Sequence, residues 1–401
     1  MDERVESVRC CVIGGGPAGM MVGVLLARRG IDVLIVEKHP DFLRDFRGDT
    51  IHPSTLELMH ELGWAGELLE LPHSKMTDVT VDIHGTAVTF ADFRKLPVHY
   101  PYIAFMPQWD FLDFLAGKGE ELPTFRLLRS TQMTDLIIED GTVTGIKATN
   151  SDGPIRIHAD LVIAADGRHS TARTQAGLQP IEKSAPLDVL WFRLPRKPDD
   201  DVPFFQGGRG ALISIDRTDF WQLAYAIPTN AFGELRSGGI ADFRDRIAEL
   251  APGLSDRVDH IEDWDALHQL TVRVDRLKRW YRPGLLCIGD AAHAMSPAGG
   301  VGINLAIQDA VAAANIIGPP LSVGRPSEVD LRRVQRRREL PVRVTQLFQT
   351  AILRDLYPRD LSDDTTTHVP AVMRAFRALP AMRYLMGRLI GLGARPEHIA
   401  N

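Results

Sequence analysis

Cys10-Cys11-Val12-Ile13-Gly14-Gly15-Gly16-Pro17-Ala18-Gly19 is the stretch on which the fold turns. An apolar run enters a glycine turn, apolar residues then recur at helical period from Ala18 to Arg29, and past Gly30 a second apolar run follows, Ile31-Asp32-Val33-Leu34-Ile35-Val36. Strand, helix and strand in this order form one βαβ unit. Gly14, Gly16 and Gly19 satisfy G-x-G-x-x-G, in which glycines allow a tight turn, close backbone approach to a pyrophosphate and close packing of helix on strand. The anion then meets the positive end of the helix. Glu37 ends the second strand, where a carboxylate accepts hydrogen bonds from a ribose diol and repels a 2′-phosphate. That favours FAD or NAD over NADP.

Working outward, Pro53 to Glu70 predicts a helix, with Leu56, Met59, Leu62 and Leu69 at helical spacing, and Phe111 to Leu122 predicts another. Leu127 to Ile138 and Thr142 to Thr149 alternate around Glu139-Asp140-Gly141, a hairpin signal, and lead into a buried strand, Ile155 to Ala165. A second sheet of antiparallel character begins near position 180, including Asp188 to Pro195 and Asp219 to Pro228. Gly284 to Gly289 returns to the buried-strand pattern, Gly302 to Ile317 is helical, and so is nearly everything from Ser327 onward. The expected fold is α/β: a discontinuous Rossmann-like FAD-binding domain (1–75, 96–180 and 265–345), an inserted mixed β-sheet substrate domain (76–95 and 181–264), and a C-terminal helical segment (346–401). The charged stretch from Arg332-Arg333 to Arg338 is expected to be a solvated helix face.

With 401 residues, 44% hydrophobic and 24% charged, the chain can bury a large core, and a net charge of −6 argues against a general nucleic-acid binder. The polar start Met1-Asp2-Glu3-Arg4, and the lack of an unbroken apolar run of roughly 18 residues, lead to an expected cytoplasmic location with no transmembrane segment. Cys10, Cys11 and Cys287 fall on core strands and read as buried, inert thiols. No H-E-x-x-H spacing or Cys/His cluster occurs, so no metal is expected.

Two further signals repeat the pattern of a strand ending in an acid and glycine. Ala164-Ala165-Asp166-Gly167 places a carboxylate at a strand's C-terminal end, where α/β folds put ligand contacts. Gly289-Asp290-Ala291-Ala292-His293 runs through Pro297-Ala298-Gly299-Gly300-Val301-Gly302-Ile303-Asn304 into a helix. A helix N-terminus there stabilises the negative charge that a reduced flavin carries near N1 and the C2 carbonyl.

With these three motifs in order, the chain resembles a group A, single-component flavoprotein monooxygenase of the para-hydroxybenzoate hydroxylase type, over residues 8 to 320. The resemblance implies that Gly14, Gly16, Ala18, Gly19, Glu37 and Lys38 serve the ADP half of FAD, and that Asp166 and Gly167 reach both FAD and the nicotinamide cofactor. Asp290, Pro297, Gly300, Val301, Gly302, Ile303 and Asn304 would hold the flavin ring, with Arg47 beside it, Gln108 on the ribityl chain and Met133 near adenine. It further implies NADH or NADPH as transient reductant, O2 as co-substrate, a flavin C4a-hydroperoxide, and hydroxylation of a small aromatic or phenolic substrate. A homodimer is a further possible state. His52, Arg193 and Tyr225 are the candidate catalytic residues: His52 as a base that deprotonates a ring hydroxyl, the other two from whichever face of the second sheet roofs the pocket. Met382 to Ile390, basic and apolar, reads as a packed or dimer-contact helix rather than a membrane-surface one. An FAD-dependent reductase or dehydrogenase would keep every cofactor motif, and a non-catalytic FAD-binding assembly factor is the reading from another class. The W-x-W-x-I-P motif of flavin halogenases is absent.

Overall fold

A computed structural model describes residues 4–43, 49–83, 86–183, 187–208, 210–217, 219–356 and 379–400. Its first sheet has eight strands. Leu285–Cys287, Gly153–Ala164, Arg4–Ile13, Val33–Val36 and Phe125–Leu128 run parallel side by side, and Tyr281–Arg282 pairs antiparallel at one edge. Cys10, Cys11, Val12, Leu285, Leu286 and Cys287 are all fully buried, so consecutive residues are covered on both faces, as a parallel sheet between helices requires. Burial raises the thiol of Cys11 to about 12 and leaves it inert.

Two elements differ from the sequence expectation for local reasons. The helix expected over Pro53 to Glu70 is two pieces, Pro53–Glu61 and Ala65–Leu68. The Gly63 N–H bonds the His60 carbonyl and the Trp64 N–H reaches back to that of Met59, which closes the first helix with a reversed turn. The expected single strand Leu127 to Ile138 breaks at Ser130, which adopts a positive φ of 50°. Its first half joins the parallel sheet beside Val33–Val36, and only Gln132–Glu139 forms the hairpin with Thr142–Asn150.

The second sheet has seven strands, in the order His268–Thr271, Leu187–Pro195, Phe220–Pro228, Gly210–Asp216, Phe205–Gly208, Asp78–Ile83, Thr86–Asp92. It is mixed, because Phe205–Gly208 runs parallel to Asp78–Ile83 while the other pairs are antiparallel. Alternation gives it two unlike faces. Phe192, Trp221, Leu223 and Tyr225 pack with Phe243, Ile247 and Leu250 of the helix Gly239–Leu250. Val189, Trp191, Ala224 and Ala226 pack with Phe105, Ala298 and Val301 instead.

The helix Gly302–Val323 carries the glycine loop on its N-terminus and packs against the helix Pro17–Arg28. With its leading turn it is the one helix among the described residues with the length and composition to cross a membrane, which a search for unbroken apolar runs overlooks. Most of it is buried inside the fold. The helix Glu328–Leu356 runs continuously through the boundary expected at 345. Pro380–Gly391 lies on the strand Thr86–Asp92, packing Met382 and Met386 against the second sheet and leaving Leu385 exposed.

Arg338 corrects one expectation. Arg332 and Arg333 are exposed, but Arg338 is completely buried. Its Nε donates to Asp309 Oδ1 at 2.9 Å and its Nη1 to Glu397 Oε1 at 3.1 Å. A run of charges at helical spacing does not distinguish the one position that turns inward to meet Asp309.

Candidate functional site

The Gly14–Gly19 turn is held by backbone sterics. Gly14 has φ 101°, and a Cβ there would stand 2.5 Å from the Ala165 carbonyl oxygen. A Cβ on Gly19 would overlap the Gly14 carbonyl oxygen outright. Gly16 faces open space at the N-terminus of the helix Pro17–Arg28, whose first N–H groups are the donors an anion needs. Glu37 is buried beside the turn, Oε2 accepting from the Gly15 N–H at 2.8 Å and Oε1 from the His39 N–H at 3.0 Å. Lys38 is exposed next to it, Ala18 is buried under the turn, and Met133 is buried in the same core.

Asp166 ends its strand with one carboxylate oxygen accepting from the Ala172 N–H at 3.2 Å, while the other is buried with no partner among the described residues. Burial raises its carboxyl above the ordinary value. Gly167 turns away at positive φ, and Arg168 lies 3.8 Å from Asp290 across the groove. Acid and glycine from two strand ends therefore meet, as the sequence spacing predicts.

The glycine loop before Gly302 is held by side chains from elsewhere in the chain. Asn304 Oδ1 accepts from the His52 N–H at 2.9 Å and the Thr55 hydroxyl at 2.7 Å, and its Nδ2 donates to the Thr50 carbonyl at 3.1 Å. Thr50 Oγ1 donates to the Gly300 carbonyl at 2.9 Å. Gln349 Nε2 donates to the carbonyls of Ser296 and Ala298 at 2.7 and 2.8 Å, while its Oε1 accepts from the Ser296 N–H at 3.2 Å. Behind the loop, His293 Nε2 and Asp309 Oδ2 stand 2.5 Å apart, and Asp309 connects onward to Arg338 and Glu397. Two basic partners hold the Asp309 carboxyl below its ordinary value against the opposing effect of burial. With its side chain committed to the clamp, Asn304 reaches a ligand only through its backbone; the N–H groups of Val301, Gly302 and Ile303 form the open helix end.

Next to Thr50, Asp49 forms a buried ion pair with Arg217, which joins the residue before the strand Thr50–Ile51 to the turn that follows Gly210–Asp216. Asp49 Oδ1 also accepts from the Gln108 N–H at 3.1 Å, which places Gln108 at the start of its helix beside this pair. Burial lowers the Arg217 guanidinium to about 10. Neither Asp49 nor Arg217 stands out in the sequence, since each is a lone charge in a turn. The segment with Arg47 lies outside the described residues.

The three candidate catalytic residues do not converge. Tyr225 is buried on the outer face of the second sheet, its ring 5.5 Å from that of Phe243 and its hydroxyl on Arg246, turned away from Ala298 and Val301. Arg193 is on the inner face but exposed, its guanidinium 4.7 Å from the Phe220 ring centroid. His52 is fully buried, and its Nδ1 must carry the proton because it faces the Ile390 carbonyl at 2.8 Å. Burial lowers its pKa to about 4, so it is neutral and a weak base near pH 7.

A family model described as an FAD binding domain matches residues 7–346. The chain belongs to that family. It is 34% identical over 307 residues to 6-methylpretetramide 4-monooxygenase of Streptomyces rimosus, spanning 76% of this chain and 73% of that protein. It is 26% identical over 318 residues to para-nitrophenol 4-monooxygenase of Pseudomonas sp. (strain WBC-3), spanning 75% of each. The crystal structure of p-nitrophenol 4-monooxygenase PnpA from Pseudomonas putida DLL-E4 shares the fold, with a TM-score of 0.75 at 19% identity over 96% of this chain and 94% of that one. The protein is an FAD-dependent monooxygenase of the group A type.

The residues present fit FAD. The open space above Gly16, the buried Glu37 carboxylate, the unpartnered Asp166 oxygen and the open helix end at Val301–Ile303 are suited to the anion, hydroxyl and ring contacts that FAD needs.

Proposed function

We propose that the protein hydroxylates an aromatic ring bearing a phenolic hydroxyl, with NADH or NADPH as electron donor and O2 as oxygen source. One observation carries the reading. The inner face of the second sheet, with Val189, Trp191, Ala224 and Ala226, packs in one apolar cluster with Ala298 and Val301 of the flavin loop. A flat apolar ring seated between them lies against the flavin with water excluded, as a reactive oxygen species requires. The name of the para-nitrophenol 4-monooxygenase above supports this substrate class. Bound FAD supplies the electron relay and the oxygen activation.

In this reading Glu37, the Gly14–Gly19 turn and the N-terminus of Pro17–Arg28 bind the adenosine and pyrophosphate end, Gln108 and Asp290 flank the ribityl chain, and Val301 to Ile303 donate to the flavin ring. Asp166 and Gly167 form the edge at which a nicotinamide dinucleotide docks. That edge is cationic, since burial and the neighbouring charges of Arg273, Arg168, Arg173 and Lys38 hold His169 below its ordinary value. The inner sheet face and flavin loop belong to the substrate, and the sheet's outer face is structural. The deprotonating base is not His52.

Anaerobic mixing of the FAD-loaded enzyme with NADH or NADPH, with and without a panel of phenols, followed by oxygen, tests the reading. The expected result is flavin bleaching accelerated by a phenol, then a product heavier by one oxygen atom. Reduction and reoxidation with no oxygenated product from any phenol would make the protein a reductase.

A further inference from the structure

Gln222 lies on the strand Phe220–Pro228, two residues before Ala224 and therefore on the inner, flavin-side face of the sheet. It is 5% exposed. Its Oε1 accepts from Arg217 Nε at 2.9 Å. A guanidinium can only donate, so this bond fixes which end of the amide is oxygen. The Nε2 group must point the other way, and there it is buried with no acceptor among the described residues.

Arg217 is itself held by Asp49, which receives the Gln108 N–H and is followed by Thr50, the residue bonded to the Gly300 carbonyl. A chain of hydrogen bonds therefore runs from the flavin loop through Thr50, Asp49 and Arg217 to the Gln222 amide, on a face whose other residues include Val189, Trp191, Ala224 and Ala226. Native proteins rarely leave a buried donor unpaired, since the desolvation of such a group opposes folding. Removing the donor with its shape preserved would remove that opposition, so its presence points to a ligand.

We infer that Gln222 Nε2 is the substrate-orienting donor of the pocket, and that the substrate class is an aromatic ring carrying a carbonyl or phenolic oxygen as hydrogen-bond acceptor. The inference rests on the proposed aromatic hydroxylation. Arg217, donating to the same amide, polarises it and strengthens the outgoing bond. An oxygen fixed there sets which ring carbon lies over the flavin loop, so Gln222 governs specificity and position of attack.

The test uses the FAD-loaded enzyme and two ligand pairs, 1-naphthol against naphthalene and 1-tetralone against tetralin, with binding read from perturbation of the flavin spectrum. The wild type is expected to favour each oxygen-bearing partner on the order of tenfold. Gln222→Leu should bring both ratios close to one, with naphthalene binding little changed. Gln222→Glu keeps an oxygen on Arg217 and puts an acceptor where the donor stood. It should reject the ketone while tolerating the phenol, whose hydroxyl can donate. A wild type without these preferences, or ratios that both variants leave unchanged, overturns the inference. Failure of the hydroxylase reading is separable: ratios that move as expected in an enzyme that oxygenates no phenol would sink that reading and leave Gln222 as the orienting donor.

Discussion

Around Gly14–Gly19 the backbone is fixed by its immediate neighbours and the ends of the two adjacent strands, through Ala165 and the Glu37 carboxylate. Around Pro297–Gly302 it is fixed by Thr50 and Gln349, brought from two distant parts of the chain, with Asn304 of the following helix bonded to Thr50. In the proposed reading the two loops face opposite ends of FAD. In the first, Gly14 and Gly19 admit no added carbon, whereas the second depends on hydrogen bonds from side chains. The first loop is thus pinned by sterics and the second by hydrogen bonds.

The largest expected effect follows from the steric loop. Gly19→Ala puts a methyl into the Gly14 carbonyl, and the overlap is relieved only by moving the turn off the pyrophosphate. We expect a purified protein without bound flavin, destabilised by about 3 kcal/mol or more. The ratio of flavin to protein absorbance and the melting temperature with added FAD check this. A variant that retains FAD would show that the first loop is not pinned by sterics.

This contrast also explains what was legible in the sequence. The βαβ unit, Glu37, Asp166 and the loop from Gly289 to Asn304 were readable because each contact is made within a few residues of a glycine whose backbone geometry dictates the residue type. The alternation of Trp191, Phe192 and Arg193 separated the two sheet faces, but which face met the flavin loop was set by the helix Gly239–Leu250 covering Tyr225. Arg338 and Gln349 were not legible, since a charge or amide on a helix shows no period of its own until Asp309 and the loop carbonyls meet it, nor was Glu397, a lone acid in the irregular C-terminal segment. Arg217 and Asp49 were hidden for the same reason.

Support behind the second loop gives the next effect. Arg338→Met leaves Asp309 and Glu397 as buried carboxylates without their shared cation. About 3–5 kcal/mol of stability should be lost in urea unfolding. Combining it with Asp309→Asn should recover part of that loss, because the second change removes a stranded charge. Purely additive losses would mean that the pair is not coupled.

Gln349→Leu acts on the loop itself, orphaning the carbonyls of Ser296 and Ala298 and the Ser296 N–H. About 2–3 kcal/mol is expected, with FAD bound on the order of tenfold more weakly. The redox potential of the bound flavin should also fall, as a looser helix end stabilises the reduced ring less. A stability loss with an unchanged potential would confine Gln349 to packing.

The smallest effect distinguishes the loops by pH. His52 bonds Asn304 through its backbone and Ile390 through its ring, and burial lowers its pKa from 6.5 to about 4. The unfolded chain therefore takes up this proton first as pH falls, so the stability contributed by keeping His52 neutral is complete above about pH 6.5 and declines until the folded pKa near 4 is reached. By about pH 5 the loss is about 2 kcal/mol, since a tenfold difference in proton affinity between the folded and unfolded chain is worth about 1.4 kcal/mol. His52→Gln keeps a donor for the Ile390 carbonyl and does not titrate. The difference between wild type and variant in urea unfolding, followed from about pH 7.5 down to pH 4.5, cancels the carboxylates common to both. It should open below pH 6.5, with the wild type losing the more stability, while the affinity for ADP, which reports the first loop alone, changes equally in both proteins. A difference that stays constant with pH would mean that His52 meets solvent or a proton donor in the folded state, and the side-chain-held loop would lose its distinction from the steric one in this respect.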